Sequence, residues 1–329
     1  MALALAMEQR QLGATGVDVT RVILGCGNFG GVGSAPAFFG QGESEGEAFA
    51  LMDSAWQLGV RAFDTADAYG GGRSEAWIGR WLAARRRRPV LATKVFNSVT
   101  GDPADRGLSR ERILRQIEGS LERLGVERVD LYLIHAPDPA TPLEETLGAF
   151  DELVRAGKVG AIGASNVDRP YLEEALTISE REGFVRFEWV QNSYSLLDRE
   201  AENGVLPFCA ELGLGFTPFS PLAGGWLTGK YGRGQPYPSG SRMTLRPEPY
   251  LELENEAVYR GLERLAAGAA KRGVDAATLA FAWLFSNPDV TAVVLGPRRP
   301  EHLEPARRAL ELELTSADRD EIGAYFEPS

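Results

Sequence analysis

The run Ala62-Phe63-Asp64-Thr65-Ala66-Asp67-Ala68-Tyr69-Gly70 decides how this chain is read. Val60 to Phe63 is an apolar lead of the kind that forms a buried strand. It stops at Asp64, a carboxylate that no buried strand carries without a partner. Tyr69 follows in the loop, then Gly70 to Gly72, and a helix can start at Arg73-Ser74-Glu75. Two later segments end the same way: Val90-Leu91-Ala92-Thr93 leads into Lys94, and Val129 to Ile134 leads into His135. In a closed parallel barrel such strand ends converge on the face that carries the active site.

The 329 residues are 44% hydrophobic, enough to bury a large core. Strand and helix signals alternate along nearly the whole length, which predicts one α/β domain over residues 1–329. A net charge of −11 and a pI near 4.9 argue against a nucleic-acid partner. Two cysteines, Cys26 and Cys209, make no disulfide framework and fit a reducing cytoplasm. No apolar run is long enough to span a membrane. Met1 to Met7 is apolar but lacks a basic flank and is short for a signal segment, so a disordered tail is expected. The sequence leaves the oligomeric state open and does not indicate an oligomer.

Glu8–Leu12 and Val17–Thr20 flank Gly13-Ala14-Thr15-Gly16 and predict a small hairpin ahead of the main repeat. Strand one, Arg21 to Leu24, runs into Gly25-Cys26-Gly27-Asn28-Phe29-Gly30. That run matches a dinucleotide fingerprint, but the helix such a fingerprint must open does not follow, and a loop above the barrel mouth is expected. Helices are predicted over Glu45–Leu58, from a cap at Ser74, from Ser109 with the stripe Ile113, Ile117, Leu121 and Leu124, over Leu143–Ala156, Pro170–Glu180 and Gly204–Leu212. The basic run Arg85-Arg86-Arg87-Arg88-Pro89 reads as a solvated helix end. Strands five to seven end at Ser165-Asn166, Gln191-Asn192 and Pro218. Phe219 to Leu253 has no sustained period, and a loop that long is usually functional. Helices near Glu254–Arg272 and Ala276–Phe285 precede strand eight, Val290 to Val294, and Glu301–Leu310 is the last barrel helix, with another over Ser316–Tyr325. The count predicts a (β/α)8 barrel with an N-terminal hairpin and a long loop after strand seven.

His135 is one of only two histidines, and alone it would read as a core residue. Lys94 closing a buried strand needs a partner, which Asp64 can supply. A tyrosine titrates near ~10, too high for efficient proton transfer at neutral pH, and a neighbouring ammonium lowers that value. His135 can orient a carbonyl oxygen. A proton donor beside a polarised carbonyl lacks only a nucleophile, and hydride from a nicotinamide can fill that role. No cluster of residues has metal-ligand spacing.

The chain resembles the aldo-keto reductases, in particular the bacterial branch similar to potassium-channel β subunits. The motifs that carry the resemblance are Phe63 to Gly70, Ala92-Thr93-Lys94, Asp130 to His135, Gly163-Ala164-Ser165-Asn166, Gln191-Asn192-Ser193-Tyr194, Phe219 to Gly225, and Leu227 to Tyr231. The resemblance implies a tetrad of Asp64, Tyr69, Lys94 and His135, with Tyr69 as general acid, and an extended NADP(H) across the barrel mouth. Ser165, Asn166 and Gln191 would hold the carboxamide. Phe219 stands where the family usually stacks a tyrosine on the nicotinamide. Ser220, Leu222, Gly224 and Lys230 would line the pyrophosphate. Gly27, Asn28, Gly296 and Arg298 complete the candidate cofactor contacts, Arg298 as a bidentate partner for a 2′-phosphate. The family's run after strand eight, Gly-Ala-Ser/Arg, then Gln, then Glu-Asn, is here Gly296-Pro297-Arg298-Arg299, then His302, then Pro305-Ala306. That departure removes the family's adenine contacts, but Arg298 can still pair a 2′-phosphate, and NADP(H) is expected, with NAD(H) as the alternative.

The substrate is expected to be a small aldehyde or ketone with an apolar or ring-shaped body, a keto-sugar included, walled by Phe38, Phe39, Phe96, Trp226, Tyr231 and Tyr237. Two rival readings stand beside the reductase: a cofactor-binding regulatory subunit of a membrane channel, and a barrel lyase forming a Schiff base on Lys94.

Overall fold

The computed structural model describes residues 7–326; of the tail expected over Met1 to Met7, residues 1–6 lie outside them, and Met7 packs against the core. Strands β1 (Gln9–Gln11) and β2 (Asp18–Thr20) form the expected antiparallel hairpin. Eight strands follow: β3 (Val22–Gly25), β4 (Ala62–Asp64), β5 (Val90–Val95), β6 (Val129–Ile134), β7 (Val159–Ser165), β8 (Trp189–Gln191), β9 (Gly215–Phe216) and β10 (Val293–Leu295). They form one parallel sheet in the order β10-β3-β4-β5-β6-β7-β8-β9. Its outer strands meet: Thr291 N–H donates to Phe216 O and Val294 N–H to Pro218 O, both at 2.9 Å. The fold is thus the (β/α)8 barrel expected from the sequence.

Alternation along each strand divides the apolar residues into two cores. Ile23, Ala62, Ala92, Leu131, Leu133, Ala161, Trp189 and Val294 fill the barrel interior, and Leu12 of the hairpin packs with them. Phe63, Leu91, Val95, Tyr132, Ile134 and Ile162 point outward into the layer beneath the helices. Register carries this pattern to the mouth. Asp64 lies opposite Ala92, so Lys94, two residues further along β5, faces the same interior.

The helices are α1 (Glu45–Gln57), α2 (Arg73–Arg85), α3 (Arg110–Leu124), α4 (Leu143–Arg155), α5 (Arg169–Glu182), α6 (Val205–Leu212), α7 (Arg242–Leu245), α8 (Glu256–Lys271), α9 (Ala276–Phe285), α10 (Glu304–Ala309) and α11 (Ser316–Gly323). Caps explain several starts. Ser44 and Glu47 form a capping box, and Ser109 accepts from Arg112 N–H. One expected cap is wrong. Helix α2 begins at Arg73 after Gly72, which has φ 84°, and Ser74 is fully buried inside it. Its hydroxyl donates to Cys26 O at 3.0 Å and contacts the Thr65 hydroxyl at 2.8 Å, tying α2 to the strand ends.

Residues 219–253 are not featureless. They hold 3-10 turns at Ala223–Thr228 and Glu248–Leu253 and the short α7. The glycine-rich run after β3 opens no helix, as expected: only a 3-10 turn, Pro36–Phe38, intervenes before α1. The last barrel helix starts as a 3-10 turn at Pro300–Leu303 and continues as α10.

Candidate functional site

Asp64, Tyr69, Lys94 and His135 come together at the C-terminal mouth of the barrel. Lys94 Nζ donates to Asp64 Oδ2 at 2.6 Å, to Thr65 O at 2.9 Å, and lies 3.4 Å from the Tyr69 hydroxyl. His135 Nε2 lies 3.4 Å from that same hydroxyl on its other side. Asp64 and Lys94 are essentially inaccessible. The β4–β5 register supplies the short ion pair, and the tight turn from Thr65 to Gly70 folds Tyr69 back over it.

The surroundings fix which groups carry charge. Burial works to lower the Lys94 ammonium, but Asp64 and the Tyr69 phenol outweigh it and its pKa is raised. Burial raises the Tyr69 phenol; Lys94 pulls it down, yet the balance stays above the ordinary value. The sequence argument that Lys94 would dominate is therefore corrected for the free protein. Burial, then the Lys94 charge, lower His135 to about 3, so its ring is neutral at physiological pH. The Asn97 amide nitrogen stands 3.4 Å from Nδ1. An amide nitrogen can only donate, so Nδ1 accepts and Nε2 carries the hydrogen. The Tyr69 oxygen thus has donors on two sides, and its own proton is free for a third group.

The residues expected around a carboxamide join this network. Gln191 Nε2 donates to Asp64 Oδ1 at 2.9 Å, Ser165 Oγ donates to Gln191 O at 2.7 Å, and Asn166 Nδ2 donates to His135 O at 2.8 Å. Asn166 holds φ 58°, a conformation asparagine tolerates better than most residues. Gly27 runs beneath the tyrosine: a Cβ added there would sit 3.5 Å from the Tyr69 ring. Phe219 packs against the interior core at the mouth.

The pyrophosphate candidates lie on the next stretch. Ser220 and Ala223 hold φ 54° and 46° without being glycine, and Gly224 and Gly225 follow at 64° and 97°. At Ser220 and Ala223 such backbone costs about 1–3 kcal/mol each, and strain of this kind clusters at functional sites; the two glycines adopt it freely. Leu222 lies between them, partly exposed. The Lys230 ammonium is pushed below the lysine range by the atoms crowding its head group and by nearby Arg298 and Arg242. That crowding of cations suits a polyanionic ligand. Gly296 and Asn28 face each other, a Cβ at Gly296 falling 4.0 Å from Asn28 Nδ2, and Arg242 donates to Asn28 Oδ1 at 3.2 Å.

Arg298 differs from expectation. Its Nε donates to Glu43 Oε1 at 2.7 Å and its Nη1 to Gly240 O. That leaves Nη2 as the nitrogen without a partner among the described residues. His302 accepts the Arg298 backbone N–H at 3.2 Å and so shapes the turn. Two expected pocket walls are also corrected. Trp226 and Tyr231 are buried against one another, ring centroids 5.1 Å apart, and anchor the long loop.

Sequence reading missed Asn97 and Glu43. Asn97, three residues after Lys94, was within reach of it. Glu43 was not, because its partner is 255 positions away.

The aldo/keto reductase family model matches residues 21–325. The uncharacterized oxidoreductase YrpG of Bacillus subtilis is 39% identical over 94% of this chain and 92% of its own length. A probable voltage-gated potassium channel subunit beta of rice is 35% identical over 93% and 92%. The NADH-specific methylglyoxal reductase of Escherichia coli is 32% identical over 95% and 96%. With that match over nearly its whole length, this chain belongs to the aldo/keto reductase family of oxidoreductases.

Proposed function

We propose that this protein reduces a small aldehyde or ketone, a keto-sugar included, to the alcohol, with Tyr69 as proton donor and NADP(H) as the preferred nicotinamide, NAD(H) being the alternative. The observation that carries the reading is the Tyr69 hydroxyl, 3.4 Å from both Lys94 Nζ and His135 Nε2 above a buried ion pair. Ser165, Asn166, Gln191 and Phe219 would hold the nicotinamide ring, and Ser220, Leu222, Gly224 and Lys230 the pyrophosphate. A nicotinamide bound there supplies the hydride. The protein's share is positioning and the proton. Nε2–H of neutral His135 orients a carbonyl oxygen set against Tyr69. The phenol, protonated at neutral pH, gives its proton to that oxygen, and the Lys94 ammonium stabilises the phenolate left behind. The cations Lys230, Arg242 and Arg298 support the choice of a 2′-phosphorylated cofactor. Two free, buried cysteines support a cytoplasmic location.

The test is NADPH oxidation with a panel of aldehydes, ketones and keto-sugars by wild type and Tyr69→Phe. Loss of about 10² to 10⁴-fold in kcat is expected for the variant. Equal turnover by both would remove Tyr69 from the role. The rice relative's name supports a second reading, a channel-associated subunit; cofactor binding without turnover of any carbonyl, together with co-purification of a channel, would favour it. The Schiff-base reading meets an obstacle in Lys94, which is held as a buried cation and so lacks the free lone pair that attacks a carbonyl.

A further inference from the structure

We propose that Glu43 sets how strongly this protein prefers a 2′-phosphorylated over an unphosphorylated dinucleotide, by holding Arg298 in place and offsetting part of its charge. The proposal rests on the reading above, in which a dinucleotide crosses the mouth with its 2′ group at Arg298.

Arg298 lies just beyond β10 and spans two other segments, Glu43 after the β3 loop and Gly240 in the long loop after β9. Among the described residues no partner reaches its Nη2, and its side chain is 35% exposed. The guanidinium is thus fixed at two corners and free at the third. Glu43 is placed as firmly: its N–H donates to Asn28 O at 2.9 Å, and its carbonyl accepts from Gly30 N–H at 3.0 Å. Its side chain is 2% exposed.

The carboxylate is incompletely neutralised. Oε1 takes the arginine, while Oε2 is buried with no hydrogen-bond partner. The acids that follow are engaged elsewhere: Glu45 pairs with Arg80, and Glu47 turns its carboxylate back onto the Ser44 N–H and hydroxyl. Lys230, Arg242, Arg246 and Arg299 are further cations of this region, and Arg242 also feels the Glu43 charge.

A 2′-phosphate carries between one and two negative charges at neutral pH. Docked on the free corner of Arg298 it would lie well within a Debye length of the Glu43 carboxylate, which repels it. A ribose hydroxyl feels little of this. Glu43 therefore lowers discrimination in favour of the phosphate while keeping Arg298 where it can contact it.

The experiment measures Kd for NADPH and NADH by calorimetry, with no carbonyl present, on wild type, Glu43→Gln, Arg298→Ala and the double variant. Gln keeps an oxygen for Arg298 Nε and removes the charge. The Kd ratio, NADH over NADPH, should rise about tenfold in Glu43→Gln at low salt and by less at about 0.5 M, where screening is strong. It should fall in Arg298→Ala, and the double variant should show no gain over Arg298→Ala. Glu43→Asp, which keeps the charge, should not reproduce the rise. An unchanged or lower ratio in Glu43→Gln, a rise equal in Glu43→Asp, or a gain that persists without Arg298 would overturn the proposal. If Arg298→Ala alone leaves the ratio untouched, Arg298 is not at the 2′ group and the placement beneath the proposal fails with it.

Discussion

At the scale of single residues, burial decides the chemistry of the mouth more than proximity does. His135 is lowered to about 3, so no ionisation of its ring should mark the reduction rate. Between pH 5.5 and 8.5, kcat should show no step with an apparent pKa near 6.5; such a step, abolished in His135→Gln, would make the imidazolium the acid instead. Asp67, between Asp64 and Tyr69 in the sequence, is fully buried within electrostatic reach of Glu75 and Tyr132, and no hydrogen-bond donor among the described residues reaches its oxygens. Burial, then Glu75, raise its pKa well above the usual carboxylate value. The folded state therefore keeps this proton to higher pH than the unfolded state, and the stabilisation is lost as pH climbs past the unfolded value near ~4. Asp67→Asn should melt higher than wild type at pH 7.5, and the gap should close near pH 4. An equal gap at both values would mean that Asp67 ionises without cost. Asp64→Asn runs the other way. It strands a buried ammonium and should cost about 3–5 kcal/mol in denaturant unfolding, whereas Tyr69→Phe should stay within about 1 kcal/mol.

At the scale of elements, the loops above the barrel hold each other by backbone contacts that leave no room for a side chain. Gly42 shows this best: a Cβ there would meet Asn28 O at 1.9 Å and Gly31 O at 2.1 Å. Both atoms are backbone, so the loop from 26 to 43 has to open to admit it. Gly42→Ala should therefore weaken NADPH binding at least tenfold in titration of intrinsic fluorescence, because Asn28 and Glu43 move with it. Unchanged affinity would uncouple this loop from the cofactor. The long loop after β9 is anchored differently, by the Trp226–Tyr231 and Tyr231–Tyr237 ring contacts, centroids 5.1 and 5.5 Å apart.

At the scale of the whole molecule, the hairpin and the candidate site occupy opposite ends of one barrel. Leu12 is fully buried in the interior core, and Gly215, at the start of β9, has no room for a Cβ because Leu12 fills the space. Leu12→Ala should cost about 2.7–5 kcal/mol through the cavity it leaves, with kcat altered less than twofold. A large loss of kcat in a variant that remains folded would show that the floor of the barrel transmits to its mouth.

Much of this architecture was legible in the chain itself. The strand ends at Asp64, Lys94 and His135 could be read because a polar or charged group ending a buried apolar run is costly unless it finds a partner. Helix α3 could be read because its apolar stripe repeats at the helical period. That Asp64, Lys94 and His135 would meet followed from the topology, since parallel barrel strands bring all their C-terminal ends to one face. Other features depended on contacts between distant segments. Ser74 reads locally as a cap but is buried against Cys26 and Thr65. Trp226 and Tyr231 read as pocket walls but pack on each other. Arg298 reads locally as a solvated helix start or a phosphate ligand, and its tie to Glu43 is not visible in the sequence. Local pattern carries period and propensity, so it determined the elements and the strand ends. The pairing of side chains hundreds of positions apart, and the desolvation that sets their charge, came into being only when the barrel closed.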